Sequence, residues 1–146
     1  MLRGNFAAKI DDKGRLKLPS AFRALIEQEH GAALFVTSVG GESARIYPMP
    51  VWVGIEQKLA RVPSTHPVRA RYLDRVNYFG QPADLDAQGR VLIHPRLRES
   101  ASMVGEVDVL GIYDFLEVWN HDRFLTKLQH EPFTDEDARI LSEFGI

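Results

Sequence analysis

The sequence predicts a mainly β protein with short helices (an α+β fold), made of two tandem copies of one unit around a pseudo-twofold core. The motif Asp-x-x-Gly-Arg occurs twice, in KIDDKGRLKLP at 9–19 and in DLDAQGRVLIHP at 84–95. Apolar residues alternate with polar ones on both sides of each motif, which is typical of a β-hairpin with one buried face. A unit of about 50 residues buries too little surface alone, so two copies sharing one core are favoured.

The first hairpin has its turn at Gly14, which supplies the positive φ that a tight turn requires. Pro19 lacks an N–H and ends the strand pairing, and Ser20 is predicted to cap a short helix. The residues predicted to face the core of this hairpin are Phe6, Ala8, Ile10, Leu16 and Leu18. The helix that follows is predicted to bury Phe22, Leu25 and Ile26.

The second copy repeats this plan, with the turn at Gly89, the helix start at Pro95 and its first apolar anchor at Leu97. The apolar face of this hairpin is predicted to consist of Leu85, Val91 and Ile93. Further strands are predicted at 32–38 and 44–48 in the first copy and at 107–111 and 115–120 in the second.

Each copy ends in a short helix, and a linking helix is predicted over 67–80 with Val68, Tyr72 and Val76 on one face. The corresponding apolar residues of these two end helices are Trp52, Ile55 and Leu59 in the first copy and Phe124, Leu125 and Leu128 in the second. The predicted division of the chain is a first unit at 5–51, helices and linker at 52–79, a second unit at 80–123, and a helix with an acidic tail at 124–146.

Composition favours a globular protein, with 45% hydrophobic and 26% charged residues in 146. No cysteine is present, which excludes disulfides and thiolate metal sites. The absence of a long apolar run and of a signal-like leader leads us to expect a cytoplasmic protein without a membrane span.

Charge is unevenly distributed along the chain. Residues 1–23 carry six basic and two acidic side chains, residues 58–75 carry five and one, and the last 18 residues carry one and five. Two segments therefore have a net charge of +4 and one has −4, which permits a polyanionic partner without identifying it.

Catalytic and metal-binding patterns are missing from the sequence. The five histidines show no ligand spacing, and no nucleophile elbow, phosphate-binding loop or dinucleotide fingerprint is present. We therefore expect no enzyme activity, no metal, no cofactor and no small-molecule substrate.

The repeated motif and its flanks resemble the MraZ family of bacterial regulators, which are built from two tandem AbrB-like swapped-hairpin units. In the first unit the matching residues are Met1, Arg3, Gly4, Asp11, Lys13, Gly14, Arg15, Pro19, Arg23, Tyr47, Pro48, Pro50 and Trp52. In the second they are Asp86, Gly89, Arg90, Ile93, Pro95, Leu97, Arg98, Phe115, Glu117 and Trp119. Leu2 departs from the phenylalanine usual in the family, which concerns only local packing.

The resemblance implies a barrel-like core and a sequence-specific regulator that binds double-stranded DNA as a ring-shaped homo-oligomer. Such proteins recognise direct repeats upstream of the division and cell-wall gene cluster, including their own gene. They typically act as repressors and are associated with the nucleoid.

The two hairpins differ in their outward faces. The first carries cations, and the predicted DNA-binding residues are Arg3, Lys9, Lys13, Arg15 and Lys17. The second has Asp84, Gln88 and Leu92 at the positions equivalent to the three lysines. The residues assigned to the structural motif are Asp11, Gly14, Asp86, Gly89 and Arg90. We therefore expect Arg15 to serve DNA binding, and Arg90 mainly folding or ring formation.

Two other functions stay open on the residues alone. One is an antitoxin-like protein-interaction module of the same fold, for which the acidic tail could bind a partner. The other is a small enzyme acting on a nucleotide or phosphoester. For Arg69, Arg71 and Arg75 on the linking helix, we expect ion pairs within the chain or between subunits rather than contacts with DNA.

Overall fold

The computed structural model describes residues 1–146 and contains eight strands and six helices. The elements of the first half are β1 (Leu2–Ile10), β2 (Arg15–Lys17), α1 (Ser20–His30), β3 (Ala33–Thr37), β4 (Ala44–Pro48), α2 (Met49–Leu59) and α3 (Pro67–Tyr78). Those of the second half are β5 (Gln81–Asp84), β6 (Arg90–Leu92), α4 (Pro95–Ala101), β7 (Gly105–Tyr113), β8 (Phe115–Asn120), α5 (His121–His130) and α6 (Asp135–Ser142).

The eight strands form one antiparallel sheet in the order β5-β3-β4-β8-β7-β1-β2-β6. The two strands at its ends, β5 and β6, are the two sides of the second hairpin and are joined by its turn. The sheet therefore curls into a nearly closed barrel, an arrangement that leaves little free strand edge.

The two units interlock instead of packing side by side. β1 of the first unit pairs with β7 of the second, and β5 of the second unit, the equivalent of β1, pairs with β3 of the first. The equivalent strands β2 and β6 pair with each other, as do β4 and β8. Every strand of one unit thus has a partner in the other, so the sequence prediction of two swapped-hairpin units about a pseudo-twofold axis is confirmed.

One core lies inside this barrel and draws on both units. Leu16 and Val91 lie opposite each other in the β2–β6 pair and are both buried. The two helix anchors Phe22 and Leu97 are buried in the same cluster. A smaller cluster of Phe35, Tyr47, Trp52 and Val76 lies beneath α2 and α3.

The predicted strands 44–48 and 115–120 match β4 and β8, and the linking helix ends at Tyr78, two residues early. Two local predictions are wrong. Ser20 does not cap α1: the helix begins at Ser20, Pro19 is the N-cap, and no side-chain capping bond forms. Phe6 is not a core residue, because 42% of it is exposed and it packs edge-on against Phe22 at 5.0 Å between ring centroids.

None of the six helices is long and apolar enough to cross a membrane.

Candidate nucleic-acid interface

The first turn is held by the carboxylate of Asp11. Its Oδ1 accepts hydrogen bonds from the backbone N–H groups of Lys13 (3.0 Å) and Arg15 (2.8 Å), and its Oδ2 accepts one from Arg15 Nε (2.9 Å). The N–H of Arg15 and then its guanidinium hold the pKa of Asp11 below its usual range, against the opposing effect of burial. Gly14 has a φ of +82°, which favours glycine at this position.

The second turn repeats these bonds through Asp86. Its Oδ1 accepts from the N–H groups of Gln88 (2.9 Å) and Arg90 (2.8 Å), and its Oδ2 accepts from Arg90 Nε (2.8 Å). The N–H and the guanidinium of Arg90 likewise lower the pKa of Asp86. Gly89 again has a positive φ, of +75°. The two copies of the motif therefore build the same turn.

The tips of the two turns differ in one bond. Arg90 also donates from Nη2 to the side-chain oxygen of Gln88 at 3.0 Å. Lys13 occupies the equivalent place in the first turn and offers no acceptor, so the terminal nitrogens of Arg15 form no hydrogen bond in the chain. Free donors on a fixed guanidinium suit recognition of a phosphate or a guanine edge.

Each turn is covered by an arginine from the other unit. A Cβ added to Gly14 would overlap the guanidinium of Arg98 on α4, and one added to Gly89 would overlap Arg23 on α1. Arg23 also donates to the carbonyl of Ala87 at 3.1 Å. The positioning role of these two arginines was missed from the sequence, although both stand nine residues after a turn glycine.

The outward faces of both hairpins lie side by side on one ribbon, which we define as the paired strands β2 and β6. Lys17 lies directly opposite Arg90, and Arg15 lies opposite Leu92. Residues opposite each other on antiparallel strands share a face, with Cβ atoms about 5 Å apart. From the sequence, the outward faces of the two hairpins were expected to be separate surfaces. In the structure they are continuous, because β2 of the first unit pairs with β6 of the second.

The predicted DNA-binding residues gather only in part. Lys9 and Lys17 line one open depression, together with Arg23 and Gln88. Arg3 lies six residues from Lys9 on the same strand, about 20 Å away at the usual rise. Arg3 therefore lies outside the cluster formed by the others.

Three lysines of the first copy, Lys9, Lys13 and Lys17, are exposed and form no ion pair in the chain. Exposed lysines attract phosphates without first having to break an internal pair. The pairs that do occur here, Arg15–Asp11 and Arg90–Asp86, have side chains about one-third exposed. No cluster of three or more His, Asp or Glu side chains that could hold a metal ion is present in the chain.

The nearly closed barrel and the two reciprocally covered Asp-x-x-Gly-Arg turns define a class: the chain is a tandem AbrB-like swapped-hairpin protein.

Comparison with known proteins gives the family. A family model described as "MraZ protein, putative antitoxin-like" matches residues 1–75 and 81–144. Proteins named "Transcriptional regulator MraZ" match over the full length of both chains, with 47% identity in Acidobacterium capsulatum and 45% in Koribacter versatilis. A third protein of that name, from Herpetosiphon aurantiacus, is 35% identical, again over both full lengths. The chain belongs to the MraZ family.

Proposed function

We propose that the chain is a sequence-specific DNA-binding transcriptional regulator, typically a repressor, of the division and cell-wall gene cluster that includes its own gene. It acts in the cytoplasm at the nucleoid, as a ring-shaped homo-oligomer on promoter direct repeats. The regulator names of its full-length relatives support the general role. The observation that carries the proposal is the first hairpin, where the exposed side chains of Lys9, Lys13 and Lys17 accompany Arg15 and its free terminal donors.

The proposed contacts fall into two kinds. Lys9, Lys17 and the more distant Arg3 bind backbone phosphates and set the position of the duplex. Lys13 and Arg15 lie at the tip of the first turn and reach base edges or the backbone, with Arg15 held in direction by its Nε bond to Asp11. This bond fixes the guanidinium before DNA arrives, which reduces the ordering cost of binding.

Assembly supplies the affinity that one copy lacks. A few phosphate contacts give only weak binding at about 0.1 M salt. Several copies joined in a ring engage successive repeats, and linked contacts of this kind raise affinity by roughly 10² to 10⁴. Specificity then depends on repeat spacing as well as on base contacts.

A competing candidate is an antitoxin-like protein-interaction module, favoured by the words "antitoxin-like" in the family description. A titration of the protein against its own upstream DNA and against a shuffled sequence of the same length separates the two. A regulator binds its upstream DNA roughly 10³-fold or more tightly, the lower end of specific over non-specific binding. Equal affinity for both DNAs would contradict the proposed function.

A further inference from the structure

The C-terminal arm, which we define as residues 132–146, is not held by the rest of the chain. No residue of its helix α6 is buried. Every hydrogen bond of the arm stays within it, including the reciprocal pair between Thr134 and Asp137 at 2.9 and 3.1 Å. The arm is therefore an ordered segment that makes no polar contact with the barrel.

The helix of the arm has the features of a helix that is stabilised by packing against another surface. α6 has eight residues, and isolated helices shorter than about 12 residues are marginal in water, so most of their stability comes from packing an apolar face. No such packing occurs within the chain, since Ile140 on α6 and the large apolar residues that flank the helix, Phe133, Phe144 and Ile146, are all exposed. A concentrated set of exposed apolar side chains on and beside a capped helix indicates an interaction surface.

A groove of complementary character lies between α2 and α3. It is open to solvent, has a volume of about 510 Å³, and its apolar lining consists of Ile55, Leu59, Val62, Val68 and Tyr72. Lys58 and Arg69 add positive charge to the same groove. We call this the α2–α3 groove.

Electrostatics favours an acidic occupant for the α2–α3 groove. The groove belongs to the segment 58–75, with its net charge of +4, while the arm carries four acidic residues and one basic residue. The ion pairs expected for Arg69, Arg71 and Arg75 do not form within the chain. Arg69 Nε is also buried without a hydrogen-bond acceptor, although buried donors are nearly always bonded.

We propose that the C-terminal arm of one copy docks in the α2–α3 groove of a second copy. Ile140 and Phe144 pack on the apolar lining, and a carboxylate of α6 accepts from Arg69. The basic first hairpin is an alternative docking site, since its positive charge is opposite to that of the arm. Its exposed face is mainly lysine and arginine, however, and offers little apolar surface for the arm. The proposal rests on the proposed assembly of several copies and names the contact that builds it.

The contact is directional, because the arm and the groove are different surfaces. Heterologous contacts of this kind join subunits head to tail and close into a ring when the rotation allows it. Each copy uses its arm on one neighbour and its groove on the other, which leaves the β2–β6 ribbon of every copy open.

Two full-length variants test the contact by sedimentation without DNA. Ile140→Ser/Phe144→Ser disables the arm, and Lys58→Glu/Arg69→Glu disables the groove. Each is expected to raise the subunit dissociation constant at least about 30-fold, as when a buried interface anchor is lost. Val104→Ser is the control, since it removes another exposed apolar side chain outside the arm, and it leaves the assembly unchanged.

Mixing the two disabled variants gives the sharper result. One retains an arm and the other a groove, so an equimolar mixture forms a one-to-one complex and nothing larger through this contact. The proposal is overturned if both variants assemble like the unmodified chain, or if the mixture does not combine.

Other positions for the arm give different results, and each would overturn the proposal. An arm folded into its own groove predicts that the variants unfold more easily and assemble normally. An arm covering the basic hairpins predicts tighter DNA binding by Ile140→Ser/Phe144→Ser at unchanged mass. An unmodified chain that stays monomeric at micromolar concentration would instead refute assembly itself.

Discussion

In the first turn Asp11 accepts three hydrogen bonds, and in the second Asp86 accepts three from equivalent groups, at distances that agree within 0.1 Å. We call each set of three bonds, with its turn glycine, the frame of that turn. The two frames match, but the side chains around them differ. Arg90 is bonded to Gln88, whereas the terminal nitrogens of Arg15 are free beside Lys13. The comparison separates two roles: the repeated motif builds the turn, and the unrepeated lysines give one copy its positive surface.

Substitution of the turn glycines tests whether the two frames are equivalent, and it has the largest expected effect on folding. Gly14→Ala and Gly89→Ala each force a side chain into a positive φ and displace the covering arginine. Each is expected to lower the free energy of unfolding by about 1 to 3 kcal/mol, and by similar amounts. Denaturant unfolding of both variants measures this, and a large effect at one glycine only would disprove the equivalence.

Truncation of Arg15 and of Arg90 separates the contribution of each arginine to folding from its contribution to DNA binding. Arg15→Ala and Arg90→Ala each remove one partly exposed ion pair and are expected to cost about 0.2 to 1 kcal/mol of stability. The sequence predicts a larger folding effect for Arg90. The bonds to Asp11 and Asp86 match, so the structure predicts similar effects for the two variants, with Arg90→Ala losing in addition one exposed bond to Gln88.

Only Arg15→Ala is expected to reduce discrimination between operator and shuffled DNA, by about 1 to 3 kcal/mol per engaged subunit. Competition titrations of the two variants measure the difference. Arg90 lies beside Lys17 on the ribbon, so equal losses of discrimination would show that both copies read DNA.

Acid titration gives the smallest effect. Because the folded-state pKa values of Asp11 and Asp86 are lowered, these carboxylates add stability above their usual pKa of about 3.8 and lose it as the pH falls through the folded value. Asp11→Asn and Asp86→Asn should therefore flatten the decline of stability below about pH 4, equally in both variants. Unfolding measured between neutral and acidic pH checks this, and unequal slopes would show that the two turns are not alike.

Local signals in the sequence, namely period-2 patterns and turn residues, were sufficient to predict the hairpins, the limits of several strands and the shared core. β4 and β8 match the predicted 44–48 and 115–120. β7 extends beyond the predicted 107–111 to Gly105–Tyr113 because it pairs along its length with β1, a long-range contact that no local pattern encodes. The burial of Phe6 was mispredicted for a similar reason, since its aromatic contact is with Phe22, which lies 16 residues away on α1 and leaves Phe6 partly exposed.

The candidate site could be predicted by residue type but not by arrangement. Charge counting finds the lysines of the first copy, yet only the β2–β6 pairing shows that Lys17 faces Arg90. The covering arginines Arg23 and Arg98 were likewise beyond local reasoning, because each acts on a turn about 65 to 85 residues away in the chain. Which of these residues bind DNA stays a prediction.

The salt dependence of operator binding tests the central claim most directly. Lys9→Gln/Lys17→Gln removes two exposed charges from the first hairpin, and Arg96→Gln/Arg123→Gln removes two exposed charges that lie outside this hairpin and outside segment 58–75. For the lysine variant we expect the slope of log K against log salt to become shallower by about 1.8 per engaged subunit, from roughly 0.9 per lost phosphate contact. The arginine variant should keep the original slope. An unchanged slope in the lysine variant, or an equal change in both, would contradict the assignment of DNA binding to the first hairpin.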